Sequence, residues 1–158
     1  MKITLLALTL LMSLNTQMAQ SHEIVKHDGE KQKIDFIKQE NNIIYYSNPG
    51  SSELKEISTY AVSTLKTNAT SEHVTVSNKV TVTSKSDYKK VTLLENENQA
   101  KGLKKATTFT GQSNKTKGIS PNDQLKNTIQ SIKHRVASEG YSFVTINKLQ
   151  NGTYEAIA

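Results

Sequence analysis

The clearest pattern of hydrophobic and polar positions lies in residues 120–146. Four apolar side chains there recur at helical spacing: Leu125, Ile129, Ile132 and Val136. Positions spaced in this way share one face of a helix. The pattern therefore predicts an amphipathic helix that packs its apolar stripe on a sheet.

Both ends of this helix are marked by capping signals. Ser120 is an N-cap residue followed by Pro121 at the first helical position, and Asp123 completes a capping box. Gly140 suits the left-handed position that follows a last helical turn. These signals predict a helix over about 121–139.

The residues after the helix predict a strand and a hairpin. Residues 141–146 carry apolar side chains on both faces, which is typical of a strand covered on part of both sides. Asn151-Gly152 is a strong type I′ turn signal, so we expect residues 153–157 to pair back on the preceding strand.

A series of short strands is predicted in the first half of the chain. Apolar and β-branched runs at 33–37, 43–46 and 54–58 alternate with polar turns, of which Pro49-Gly50 is the strongest. The polar residues 21–33 before them are predicted to be loose at first. The strand order over residues 31–67 is similar to small SH3-like or Sm-like barrels of exported bacterial proteins, which implies a barrel-like half.

The fold class predicted from these patterns is α+β. Residues 21–70 form a small antiparallel β-rich subdomain, a meander or barrel-like half, and residues 71–158 form an α+β subdomain. In the second subdomain one main amphipathic helix packs on a sheet with a C-terminal hairpin. The whole chain resembles uncharacterised exported proteins of Bacteroidota-type bacteria, a resemblance that implies no activity.

Residues 1–20 have the pattern of a secretory signal peptide. Lys2 precedes the apolar run 3–14, and a polar stretch leads to Ala19 and Gln20, either of which can end the leader. The run is shorter than the roughly 20 apolar residues of a transmembrane helix. We therefore predict an exported protein, periplasmic or secreted, with no transmembrane span in the mature chain.

Charge and cysteine content narrow the partners. The chain has 158 residues, a formal charge of +6 and no cysteine, so no disulfide or lipid-modified cysteine is expected. Its basic residues are mostly scattered, which together with export argues against nucleic acid as a partner. One basic run lies between Glu97 and Asp123, with no acidic residue between these two, and is a candidate contact for an anionic surface. The alternative is that the run is an ordinary solvated edge strand and loop. The run comprises Lys101, Lys104, Lys105, Lys115 and Lys117.

The candidates for a metal site are His22 and His27. Cleavage after Ala19 would leave His22 third in the mature chain, where an amine, two amides and an imidazole can bind Cu(II) or Ni(II). His27 next to Asp28 adds a ligand pair, but the histidine spacing is not that of a zinc site. We therefore favour four surface histidines and predict no metal site and no cofactor.

Motifs for catalysis are missing from the sequence: it contains no G-x-S-x-G, no paired carboxylates in an apolar setting and no phosphate-binding glycine loop. The favoured function is thus a binding or interaction protein without catalytic activity, whose partner is another envelope protein or an anionic surface. The alternative is a small envelope hydrolase or metal-binding protein with a dispersed site. A deep pocket that gathers two or more histidines would contradict the first reading.

Overall fold

A computed structural model describes residues 21–67, 72–112, 118–149 and 153–158. The predicted signal peptide, Lys115, Lys117 and the Asn151-Gly152 turn lie outside the described residues. The described residues form two β-sheets and one long helix, which is the α+β class that the sequence predicts.

The first sheet, sheet A, is antiparallel and is built from the first half of the chain. Its strands lie in the order β4-β3-β2-β1-β5-β6. The six strands are β1 (Ser21–Lys26), β2 (Lys31–Glu40), β3 (Ile43–Ser47), β4 (Lys55–Ser58), β5 (Val62–Thr67) and β6 (Glu72–Thr75). β6 pairs with β5 although it follows residue 70, and the division into two subdomains stays a prediction.

Tight turns set the path of sheet A. Asn41 and Asn42 both have positive φ, 51° and 61°, and close the β2–β3 hairpin in the manner of a type I′ turn. A 3-10 turn, Thr59–Ala61, then redirects the chain from β4 so that β5 pairs with β1. The first half is thus an antiparallel series of short strands, as predicted.

The prediction that residues 21–33 are loose is wrong, because β1 occupies the middle of sheet A. β1 pairs with β2 on one side and with β5 on the other. Its Ile24 side chain is completely buried, in a core shared with Ile34 and Ile44. The strand depends on partners far along the chain, which a local reading of polar residues cannot reveal.

The second sheet, sheet B, has four strands in the order β7-β9-β10-β8. β9 and β10 form the predicted C-terminal hairpin, and β7 runs parallel to β9. The strands are β7 (Thr92–Leu94), β8 (Thr108–Gln112), β9 (Phe143–Lys148) and β10 (Thr153–Ile157).

The long helix, α1 (Pro121–Ser138), has the predicted caps. Ser120 Oγ accepts the Asp123 N–H at 3.2 Å and donates to the Asp123 carboxylate at 2.7 Å. Gly140, with φ of +80°, donates to the Ala137 carbonyl, and Tyr141 N–H bonds the Val136 carbonyl at 3.1 Å. This pair of bonds is a Schellman motif, which satisfies the last carbonyls of the helix.

The apolar stripe of α1 is buried only towards its C-terminal end. Val136 and Ala137 are fully buried and Ile132 packs against the same core, whereas Leu125 remains 41% exposed. The helix packs chiefly on a short 3-10 turn, Lys85–Lys90, and on β9. Within the described ranges, no helix has both the length and the apolar character needed to cross a membrane.

The burial of β1 gives a test of the fold. Replacing Ile24 with Ala leaves a cavity in the core of sheet A and should lower the free energy of unfolding by roughly 2–5 kcal/mol. Ile37 is the matched control, because it is 52% exposed at a bulge in β2; I37A should change stability by less than about 0.5 kcal/mol. Urea denaturation measures both, and equal losses would show that β1 is not part of the core.

Candidate functional site

Residues 96–103, which we call the bridging segment, join the two sheets. A 3-10 turn, Glu97–Ala100, opens it, and the Asn96 side chain caps this turn by accepting the Gln99 N–H at 3.2 Å. The buried Gln99 side chain accepts the Glu95 N–H at 3.0 Å, so its carbonyl oxygen is satisfied. The segment therefore has a defined local structure and is not an open linker.

The bridging segment docks on the edge of sheet A. Ser58 N–H of β4 donates to the Lys101 carbonyl at 2.8 Å, and the Lys101 ammonium pairs with the Glu56 carboxylate. Gly102 has φ of +86°, and a Cβ at this position would lie 2.6 Å from Ile57 Cγ1. Only glycine meets both the conformation and the space.

Within the part of the chain that the structure describes, sheet B has an α-helix on one face only. Val144 and Ala156 point towards α1 and pack with Val136. Because side chains alternate along a strand, Phe143 and Ile157 lie on the opposite face. The bridging segment covers that face only in part.

A groove of about 420 Å³ remains between the helix-free face of sheet B and the bridging segment; we call it the main groove. Most of its lining is apolar, and two lysines border it. The lining residues are Leu94, Glu97, Ala100, Leu103, Lys104, Lys105, Tyr141, Ser142, Phe143, Thr145, Ile157 and Ala158.

A second depression of about 290 Å³, the side groove, lies on the other side of the same residues. It shares Leu103, Lys104 and Phe143 with the main groove and reaches sheet A at Lys26, beside Tyr60 of the 3-10 turn. The Tyr60 and Phe143 rings contact each other with centroids 5.5 Å apart. Leu103 and Phe143 thus form the wall between two adjoining grooves.

The structure brings together two of the five lysines in the predicted basic run. Lys104 and Lys105 both line the main groove, and the Lys104 side chain is 92% exposed, with Nζ 3.7 Å from Asp28. Such an exposed pair is weak, so the Lys104 ammonium remains open to other anions. Lys101 instead pairs with Glu56, and Lys115 and Lys117 lie outside the described residues.

The prediction of four surface histidines is wrong for His22, which is buried on β1 with its ring 5.2 Å from that of Phe36. His134 is half-buried and stacks on Tyr88 at 3.8 Å, while His73 is exposed. His22 and His27, the candidate metal ligands, lie at opposite ends of β1. In the part of the chain that the structure describes, no three histidine, aspartate or glutamate side chains are placed to hold a metal ion.

His27 makes the contact that most resembles a nucleophile and a base. Its Nε2 lies 2.9 Å from Ser77 Oγ, but Ser77 donates its hydroxyl proton to the Val62 carbonyl at 2.8 Å. A hydroxyl has one proton, so Nε2 is the donor and His27 is not placed to deprotonate Ser77. Among the depressions described, none gathers two histidines: the side groove holds His27, and a polar one beside α1 holds His134.

Comparisons of the chain with protein-family models, with curated proteins and with solved structures found no match. The resemblances to SH3-like or Sm-like barrels and to exported proteins of Bacteroidota-type bacteria stay predictions. The apolar side chains of the main groove are candidate ligand-binding residues, and the basic run in the sequence does not point to them. Their signal in the sequence is the strand 141–146, which is apolar on both faces.

The docking of the bridging segment can be tested at Gly102. G102A must accept both a positive φ and the clash with Ile57, whereas Gly50, at φ of +76°, has open space around it. We expect G50A to cost roughly 1–2 kcal/mol from backbone conformation alone and G102A roughly 1–3 kcal/mol more from overpacking. Equal losses in urea denaturation would show that the Gly102–Ile57 contact does not hold the segment.

Titration of His27 gives a pH-dependent test. Burial lowers its pKa, the charge of Lys79 lowers it further and Asp28 opposes the change. The folded protein thus binds fewer protons at this site than the unfolded chain, so stability falls as pH drops through 6.5.

His27→Gln removes the titration and keeps an amide donor for Ser77. The free energy of unfolding of H27Q should therefore fall less than that of the wild type between pH values above and below 6.5. Urea denaturation over this range measures both slopes. Identical slopes would contradict the assignment.

Proposed function

We propose that the protein is an exported binding protein without catalytic activity and that the main groove is its binding site. The ligand has an apolar body, which lies along Phe143 and Leu103, and an anionic group, which Lys104 and Lys105 receive. A fatty-acid carboxylate or an anionic lipid has this chemistry. The carrying observation is the apolar groove bordered by these two lysines.

The size and lining of the main groove support a small-molecule site. Its volume of about 420 Å³ falls within the range of known ligand pockets, roughly 300–1,000 Å³. Its apolar lining offers a ligand the free energy of about 25 cal/mol for each Å² of apolar surface that leaves water. The groove is not enclosed, and the Lys104 side chain beside it is exposed, which suits a ligand whose charged end stays at the surface.

The charges at the groove support an anionic ligand. The described residues show no ion pair for Lys105, and the one made by Lys104 is exposed and weak. Glu97 at the groove lies 3.5 Å from the Asn147 amide, to which it is hydrogen-bonded. The predicted contact with an anionic surface is thus kept for Lys104 and Lys105, and Lys101 is left out of it.

Two further observations bear on export and catalysis. The signal-peptide pattern of residues 1–20 supports export to the periplasm or the medium. The orientation of the Ser77 hydroxyl, towards Val62 and not towards His27, favours binding over hydrolysis.

The binding of laurate tests the proposal. Isothermal titration calorimetry with laurate should show binding, and dodecanol, which lacks the charge, should bind about tenfold more weakly, a loss of about 1.4 kcal/mol. The double variant K104E/K105E should weaken laurate binding by about tenfold or more, because attraction becomes repulsion. L103A should also weaken laurate by about threefold or more, because it removes apolar contact from the groove wall.

The matched control is K31E/K33E, which makes the same change in net charge on exposed positions of β2. It should bind laurate within about twofold of the wild type, since it leaves the groove intact. If both double variants lost the same affinity for laurate, the effect would come from the net charge of the protein and not from Lys104 and Lys105. Binding of dodecanol as tight as that of laurate would contradict the proposal that the two lysines bind the anionic group of the ligand.

A further inference from the structure

Among the described residues, the outer edge of β8 has no partner strand. β8 is the last strand of sheet B, and it pairs with β10 over five residues, from Ile157 opposite Thr108 to Thr153 opposite Gln112, without a register shift. No other strand of the described residues pairs with it. Within the described part of the chain, its N–H and C=O groups on that side point away from sheet B, as at the edge of any sheet.

Hydrogen-bond alternation identifies the groups that face outwards. Thr107 and Ala158 exchange two backbone bonds, of 3.1 Å and 3.0 Å. In an antiparallel pair the bonded positions alternate, so Phe109 also bonds β10, while Thr108 and Thr110 direct their N–H and C=O away from it. The side chains of Thr108 and Thr110 are exposed as well.

β8 is held firmly from its inner side. The Phe109 side chain is 8% exposed and packs in the core beneath α1, and the Arg135 guanidinium lies 4.6 Å from its ring centroid. Such a cation–π contact stabilises the aromatic anchor. The open edge is thus carried by a fixed strand, which lowers the ordering cost of adding a partner strand.

β8 also lacks the devices that protect an edge. Natural edges carry charged side chains, proline or bulges, and Thr108–Gln112 contains none of them. The other edges differ: β6 bears Glu72, β7 has only three residues, and β4 already donates from Ser58 to Lys101.

We infer that β8 is a docking edge for an extended acidic segment of a partner protein, which adds to sheet B as a fifth strand. The main chain of that segment would bond Thr108 and Thr110, the mode of β-augmentation. Lys104 and Lys105 lie exposed just before β8 and supply a complementary charge. Glu155, opposite Thr110, is half-buried and one strand further from the edge.

A second copy of the chain is the weaker occupant. Pairing β8 with β8 would bring together two chains of the same positive charge, +6 over the full sequence, with their lysines at the shared edge. An acidic strand meets attraction at the same place. Thr108 and Thr110 lie outside the lining of the main groove, and only Lys104 and Lys105 are shared with it. The inference therefore goes beyond the proposed ligand site.

The experiment uses a capped synthetic peptide of alternating glutamate and valine and follows amide hydrogen exchange by NMR. Peptide binding should slow exchange of the Thr108 and Thr110 amides by about tenfold or more, while a peptide with lysine in place of glutamate should bind at least about tenfold more weakly. Protection at other amides alone, or equal binding of the lysine peptide, would overturn the inference. Protection of Thr108 and Thr110 without peptide, together with a dimer in analytical ultracentrifugation, would identify a second copy instead and overturn it as well.

Thr110→Pro removes one outward N–H and no bond to β10, a change that edge strands accept. T110P should weaken acidic-peptide binding by about tenfold, whereas T110A, which keeps the N–H, should bind within about twofold of the wild type. Far-UV circular dichroism checks that T110P folds, and the exchange data on the wild type decide the question if it does not. T110P should leave laurate binding unchanged, and L103A should leave peptide binding unchanged. A failure of the docking edge can therefore be told apart from a failure of the groove. Equal peptide binding by T110P and T110A would overturn the docking edge.

Discussion

The close approach of Gly102 to Ile57 is the contact on which the relation of the two sheets depends. It lets the bridging segment lie flat on β4, where the Lys101 carbonyl accepts a bond from Ser58. Leu103 then follows directly, packs against the core of sheet A and lines the main groove. A side chain at residue 102 would clash with Ile57 and displace this segment, so the position of Leu103 at the main groove depends on a glycine beside an isoleucine.

The groove has a second origin in the number of helices. One helix covers one face of a four-stranded sheet, and the described chain has no second helix for the other face. Apolar side chains such as Phe143 and Ile157 are then covered by irregular chain, which packs less completely than a helix. Because this face of the sheet is only partly covered, an apolar surface remains accessible from solvent, as in most ligand-binding pockets.

The features that the sequence predicts well are those set by neighbouring residues. Ser120 and Gly140 determine the ends of α1 through bonds that span only a few residues, and the structure confirms both. Features set by distant residues do not follow from such local signals. β1 is stable because β5 returns to it from about forty residues away, and His22 is buried because Phe36 covers it; neither partner can be identified from the polar composition around residue 21.

The candidate site stands between these two cases. Its charge follows from a local run that includes Lys104 and Lys105, and its apolar floor follows from the strand at 141–146, whose two apolar faces indicate cover on both sides. Each half can be predicted separately, but their meeting depends on long-range pairing. The Ala106 and Thr107 amides bond the Ala158 carbonyl, and the parallel pairing of β7 with β9 places Leu94 beside Thr145. Parallel strands need a long connection, here containing β8 and α1, and a sequence does not state which strands such a connection brings together. The lysines therefore gain a specific role only when the fold places an apolar surface beside them.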